Sequence, residues 1–277
     1  MSAVRQRRMS AVFVNGALIV IAAIALAPIV WMVLVSFMQP GEASHFPPPW
    51  WPDQPTLHNY RELFLRAGMG RYFANSLIIA TGVTLVSVLL NTLAGYAFAK
   101  LKFKGRERTF RALLAALVIP AQVAMMPLFL LLKQMGLVNT YFGAMTTGLA
   151  SIFGIFLVRQ YARSLPDELL EAARIDGAGE LRIFFQIVLP TLKPILVTLA
   201  IFAFLGAWND FMWPLIVLTD QSMQTLPVAL ATPSREHVQD NELMMAGAVV
   251  TVIPVLVLFL VLQRYYLQGL LVGSVKG

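Results

Sequence analysis

Long apolar runs separated by short polar stretches set the pattern of this chain. A helix needs roughly 20 apolar residues to cross a hydrocarbon core. Six runs meet that length, at about 11–35, 73–99, 112–132, 141–159, 191–217 and 244–263. Prolines lie inside several of them: Pro28, Pro120, Pro127, Pro214 and Pro254. Membrane helices tolerate such prolines because neighbouring groups re-satisfy the freed carbonyls, and each one predicts a kink. The pattern predicts an all-α polytopic membrane protein, one transmembrane domain over 1–277.

Three of the polar connections between the runs matter most. Residues 37–72 include Phe46-Pro47-Pro48-Pro49-Trp50-Trp51-Pro52, whose aromatics suit the headgroup level. Residues 218–243 form a second loop. Residues 160–190 are different, because their composition is helix-forming as well as polar.

Basic residues give the orientation. With the N-terminus in the cytoplasm, sixteen Lys and Arg fall on the inner side and five on the outer. The inner set includes Arg5, Arg7, Arg8 and the cluster from Lys100 to Arg111. This is a strong positive-inside bias, and it puts both termini in the cytoplasm. The basic cluster at 100–111 reads first as a topology signal, with acidic lipid or a protein partner second. The first run is too long for a cleaved leader and no small-residue cleavage site follows, so an uncleaved first span is expected.

Composition agrees with this picture. The chain is 58% hydrophobic and 13% charged, with mean hydropathy +0.72, too little charge to cover a soluble domain of this size. It has no cysteine, which excludes disulfides, thiolate metal sites and cysteine nucleophiles. The three histidines, His45, His58 and His237, all fall in predicted loops. No phosphate-binding G-x-x-x-x-G-K-[ST] loop exists, so any ATP-driven work requires a partner. No catalytic constellation stands out, which argues against a membrane enzyme.

The insert at 160–190 predicts a short docking helix. Ser164 is placed to cap it, with Asp167 three residues on, and Pro166 suits its first turn. Asp167 and Glu168 complement the positive end of the helix dipole. Gly177 fits a left-handed stop. Leu165, Leu169 and Ala172 fall on one predicted face. Asp167, Glu168, Glu171 and Asp176 stand against Arg174 alone, an acidic balance that anionic lipid would repel and a protein partner would accept.

The run Glu171-Ala172-Ala173, then Gly177, Ile187 and Leu189-Pro190, is similar to the EAA signature of permease subunits of bacterial ABC importers, every fixed position at the family's spacing. More of the chain resembles the carbohydrate branch, the MalG-like permeases: Asn75-Ser76, Asn91 to Ala99, Trp208-Asn209-Asp210, Trp213-Pro214-Leu215, Thr225 to Val228 and the tail Gly269 to Gly277. The resemblance implies six transmembrane helices in the type I importer (MetI-like) permease fold, in the bacterial inner membrane. It implies a second, MalF-like permease, two ATPase subunits that hold the ATP and Mg, an extracytoplasmic binding protein and a sugar or oligosaccharide as cargo. This chain would bind no cofactor and catalyse nothing. Its EAA helix would dock in the ATPase, with Glu171, Ala172, Ala173, Gly177, Asp176 and Leu169 as contact residues. The tail, Gly273 and Lys276, would reach the ATPase interface.

Candidates for the pathway are Gln122, Trp208, Asn209 and Asp210, since sugars are recognised by polar groups and aromatic platforms; Tyr96 and Phe129 are further aromatics. Asp210, an ionisable residue near the outer half of the fifth run, marks either a functional site or a structural hydrogen bond. Asn91 reads as interhelical packing. An ion-coupled secondary transporter or channel is the alternative; it would need midplane carboxylates, and the chain offers Asp210 at most.

Overall fold

A computed structural model describes residues 3–231 and 240–272, with side chains for 12–231 and 240–263. Among the described residues every regular element is helical: α1 Ala3–Ser36, α2 His58–Leu65, α3 Met69–Lys100, α4 Arg106–Ala116, α5 Ala121–Gln134, α6 Tyr141–Met145, α7 Ile152–Ala162, α8 Asp167–Ile175, α9 Glu180–Ile183, α10 Leu189–Thr191, α11 Lys193–Trp208, α12 Met212–Val217, α13 Leu226–Ala231 and α14 Asn241–Val272. Three helical stretches, Val12–Ser36, Met69–Lys100 and Asn241–Gln263, are long and apolar enough to cross a membrane, and the count reaches six if each of three bent pairs is one span.

The bends have local causes. α4 and α5 meet at 100°, where Pro120 takes extended backbone (φ −60°, ψ 130°) ahead of α5. Pro28, Pro127 and Pro254 sit inside continuous helices, whereas Pro120 stands at a break. The stretch Glu180–Thr191 meets Lys193–Trp208 at 82°. Pro190 has no N–H to return to an earlier carbonyl, and the backbone ahead of it widens to a π-helix over Phe184–Val188. The fifth apolar run is therefore two helices, α11 and α12, parted at Asn209–Phe211.

The chain divides into two compact units. The first holds residues 1–70 and 232–253. Its loop after α1 is tied by side chains: Asn59 Nδ2 donates to the carbonyls of Ser36 (3.0 Å) and Met38 (2.8 Å). The Glu42 carboxylate accepts the amides of Gln39 and Asp53, and Glu242 Oε1 accepts the amide of Ala43.

The second unit holds residues 71–231 and 254–277. Two cores lie along α3. Near its start, Ile79 and Val83 pack with Leu132, Ala144, Trp213 and Val217, and Trp213 Nε1 donates to the Gly143 carbonyl at 3.0 Å. Near its end, Tyr96 packs with Val158, Ala162, Leu165, Phe184 and Leu192. Small residues let the backbones close in: a Cβ on Gly95 would meet the Val158 Cβ at 2.6 Å, the membrane habit of small residues at helix crossings. Asn91 is the polar tie there. Its Oδ1 accepts the Ser151 amide at 2.9 Å and its Nδ2 donates to Ser87 Oγ at 2.7 Å. Asn75 similarly donates to the carbonyls of Ser222 and Gln224 and accepts the Tyr141 hydroxyl.

Candidate functional site

The polar insert folds as α8 followed by a tight turn. Pro166, not Ser164, stands at the start of α8, on extended backbone (φ −60°, ψ 131°). The Ser164 hydroxyl donates backwards to the Tyr161 carbonyl at 2.7 Å, so the expected capping box does not form. Asp167 and Glu168 occupy the first turn, where carboxylates suit the dipole. Asp167 Oδ1 accepts Lys100 Nζ at 2.6 Å. That hydrogen bond and the charge of Lys100 hold its carboxyl below the usual range.

The end of α8 is a Schellman turn. Gly177 is left-handed at φ +80°. Its amide donates to the Arg174 carbonyl, and the Ala178 amide reaches the Ala173 carbonyl, both at 3.0 Å. This is the paired closure that a glycine at this position allows.

The helix is rotated relative to the expected face. Leu170 and Ala173 are its buried residues, and they join Leu165 in the core with Tyr96. Leu165 lies in the bend before the helix, its amide donating to the Ala162 carbonyl at 3.2 Å, so it does not set the helical phase. Leu169 and Ala172 are exposed, as are Glu168, Glu171, Ile175 and Asp176. Ala173 therefore packs inward, whereas the other expected contact residues, Glu171, Ala172, Gly177, Asp176 and Leu169, face outward. Arg174 turns aside, its Nε on Glu180 Oε1 at 2.7 Å, which leaves the outward face acidic with Leu169 and Ile175 as apolar points. Gly273 and Lys276 lie outside the described residues.

A cavity of about 610 Å³ opens in the second unit. Its lining is mostly small and apolar, with Ser87, Thr147, Ser151 and Asp210 as polar members. Phe153 and Phe202 meet edge to face in its wall, 6.0 Å between centroids. Of the four pathway candidates only Asp210 reaches the cavity; its Oδ1 accepts the Trp213 amide at 3.3 Å. Trp208 is buried, stacked on Phe204 and edge-on to Phe73, each 5.7 Å away. Asn209 is exposed and donates to the Leu205 carbonyl. Gln122 is exposed beside the lining residues Ala121 and Ala124. Tyr96 belongs to the α8 core, and Phe129 packs on the core around Trp213. The sequence reading passed over Ser87, Thr147 and Ser151. Ser87 and Asn91, four apart in an apolar helix, were the available signal for a polar face.

Apolar helices bent at breaks, an exposed helical insert and a mostly apolar cavity with a few polar groups together define a polytopic membrane transport component. Residues 91–272 match the family described as the inner membrane component of binding-protein-dependent transport systems, and the chain belongs to that family. It is a permease component, not an enzyme. It is 40% identical over 264 residues to the arabinooligosaccharides transport system permease protein AraQ of Halalkalibacterium halodurans, 93% of each chain. It is 39% identical over 225 residues to the melibiose/raffinose/stachyose import permease protein MelC of Bacillus subtilis, 80% of this chain and 82% of that one. Its fold is that of a chain in the crystal structure of a bacterial ABC transporter for import of the acidic polysaccharide alginate, at TM-score 0.84 and 23% identity, covering 95% and 98% of the two chains.

Proposed function

We propose that this chain is the permease subunit of an ATP-driven importer of a sugar or oligosaccharide. It lies in the cytoplasmic membrane with both termini inside and pairs with a second, homologous permease. Two ATPase subunits supply the energy, and an extracytoplasmic binding protein delivers the cargo. The sugar class is supported by the names of the relatives, which carry arabino-oligosaccharides in one case and melibiose, raffinose and stachyose in another.

The observation that carries the coupling role is the outward face of α8. Three carboxylates, on Glu168, Glu171 and Asp176, surround Leu169 and Ile175 on a helix whose opposite side is packed into the core. An ATPase cleft with an apolar floor and basic rim matches that face, and a charge-assisted contact to Glu171 adds specificity. Ala173 holds the helix to its own subunit and is not a contact. The cavity bordered by Ser87, Phe153 and Asp210 is this subunit's share of the pathway.

The test is copurification in mild detergent. Glu171→Lys should lose the ATPase subunits while the chain still inserts and accumulates. Retention of both ATPase subunits at wild-type stoichiometry would remove α8 as the docking element.

A further inference from the structure

We infer that α3 is the span through which movement of α8 enters the membrane, and that Tyr96 and Lys100 are the positioning residues that grip it. The inference rests on the docking role of α8 proposed above.

In sequence, α8 is flanked by α7 before it and by α9 to α11 after it. Yet both of its ends are held by α3. Lys100 Nζ donates to the Leu165 carbonyl at 2.5 Å and to Asp167 Oδ1 at 2.6 Å, so it spans the start of α8. Tyr96 hydroxyl donates to Glu180 Oε2 at 3.3 Å, and Glu180 Oε1 accepts Nε of Arg174, in the last turn of α8. Tyr96 and Lys100 are four residues apart, hence on one face of α3. Between the two grips, Leu170 and Ala173 seal into the core that includes Tyr96.

The lysine is not explained as a helix cap. A cation at a helix start opposes the dipole, and its tolerance here depends on the carbonyl and carboxylate it bonds. Its side chain is only 7% exposed, against 73% for Asp167. The water-facing pair by itself contributes little; the part-buried bond to the Leu165 carbonyl is what fixes the lysine.

Stiffness singles out α3. It is one helix from Met69 to Lys100. The chain neighbours reach the cavity only through interruptions: a non-helical link at 163–166 parts α7 from α8, and a bend of 82° precedes α11; such breaks absorb movement as hinges do. Ser87, nine residues before Tyr96 and about 13 Å along the helix axis, lines the cavity. Displacement of α8 would therefore be delivered along α3 to the cavity wall.

The chain has no cysteine, so Ser87→Cys supplies a single reporter. The assembled complex in nanodiscs is treated with a water-soluble maleimide, with and without ATP and Mg²⁺, and ATP hydrolysis is followed in parallel. ATP should change the modification rate at position 87. Adding Lys100→Met should leave the ATPase attached and hydrolysing, with the ATP-dependent change reduced about tenfold, the loss expected from one charge-assisted hydrogen bond. Lys100→Arg should restore most of it. Tyr96→Phe, which removes a single hydroxyl, should reduce the change about threefold and serves if Lys100→Met does not accumulate. An undiminished ATP-dependent change in either variant, with hydrolysis intact, overturns the role of α3. Loss or retention of the ATPase by the Glu171→Lys variant, with Tyr96 and Lys100 unchanged, is read separately and bears on docking alone.

Discussion

Replacing Gly177 with alanine isolates the turn that ends α8. An added Cβ at Gly177 meets nothing within 4 Å, and the same is true at Gly179 two residues on. The two sites differ in backbone: Gly177 lies at φ +80° and Gly179 at φ −70°. Each Gly→Ala change restricts the unfolded chain and so stabilises by about 0.4–1 kcal/mol. Only at Gly177 does the L side chain meet the left-handed penalty, about 1–2 kcal/mol. The difference between the variants therefore isolates that penalty. It corresponds to about five- to thirtyfold easier opening of the turn. Hydrogen exchange by mass spectrometry on the peptide covering 170–185 reads it at the Gly177 and Ala178 amides, which donate to Arg174 and Ala173. Gly177→Ala should exchange faster than Gly179→Ala by that factor, and Gly179→Ala no faster than wild type. Equal exchange in the two variants would refute the Schellman account of how the docking helix is stopped.

Three further outcomes follow from the packing. Gly95→Ala places a Cβ 2.6 Å from the Val158 Cβ and 3.0 Å from the Arg159 amide; it should cost about 1–3 kcal/mol by overpacking and lower the detergent Tm, whereas Gly206→Ala, with open space, should not. Arg159 binds Glu107 (2.9 Å) and the Phe98 carbonyl (3.2 Å) with its guanidinium 3.9 Å over the Phe110 ring; Arg159→Met should destabilise by about 1.5–3 kcal/mol, measured as the same Tm shift. The lowered pKa of Asp167 gives a pH signature with a definite sign. A carboxyl depressed in the folded state contributes stability above its unfolded pKa and loses it as pH falls through the folded one. Protease resistance of the insert should thus decline below about pH 4 in wild type, and Asp167→Asn should flatten that decline.

Hydropathy located the helices, because a lipid-crossing element must be apolar along its length. It did not reveal the bends, since an apolar run reads the same whether straight or broken at Leu192 or Asn209. The docking insert was legible from its acidic balance and Gly177. Its phase was not, because Leu165 lies outside the helix and only the packing of Leu170 and Ala173 reveals which side is covered. Trp208 was a reasonable sugar platform by residue type; its place between Phe73 and Phe204 is a tertiary fact. Small hydroxyls such as Thr147 and Ser151 are common in membrane helices and gave no contrast, and Ser87 could be picked out only together with Asn91 four residues on. Lys100 read as one of several topology-setting cations, and its bonds to Leu165 and Asp167 span 65 and 67 residues of sequence, a pairing that periodicity cannot express.

The most direct test of the whole account is reconstituted transport. The chain, its partner permease, the ATPase pair and the binding protein are placed in proteoliposomes, and uptake of labelled oligosaccharides is measured with and without ATP. The account predicts uptake only with ATP, the ATPase and the binding protein present, abolished by Glu171→Lys in this chain. Uptake by this chain alone under an ion gradient, without any ATPase, would contradict it.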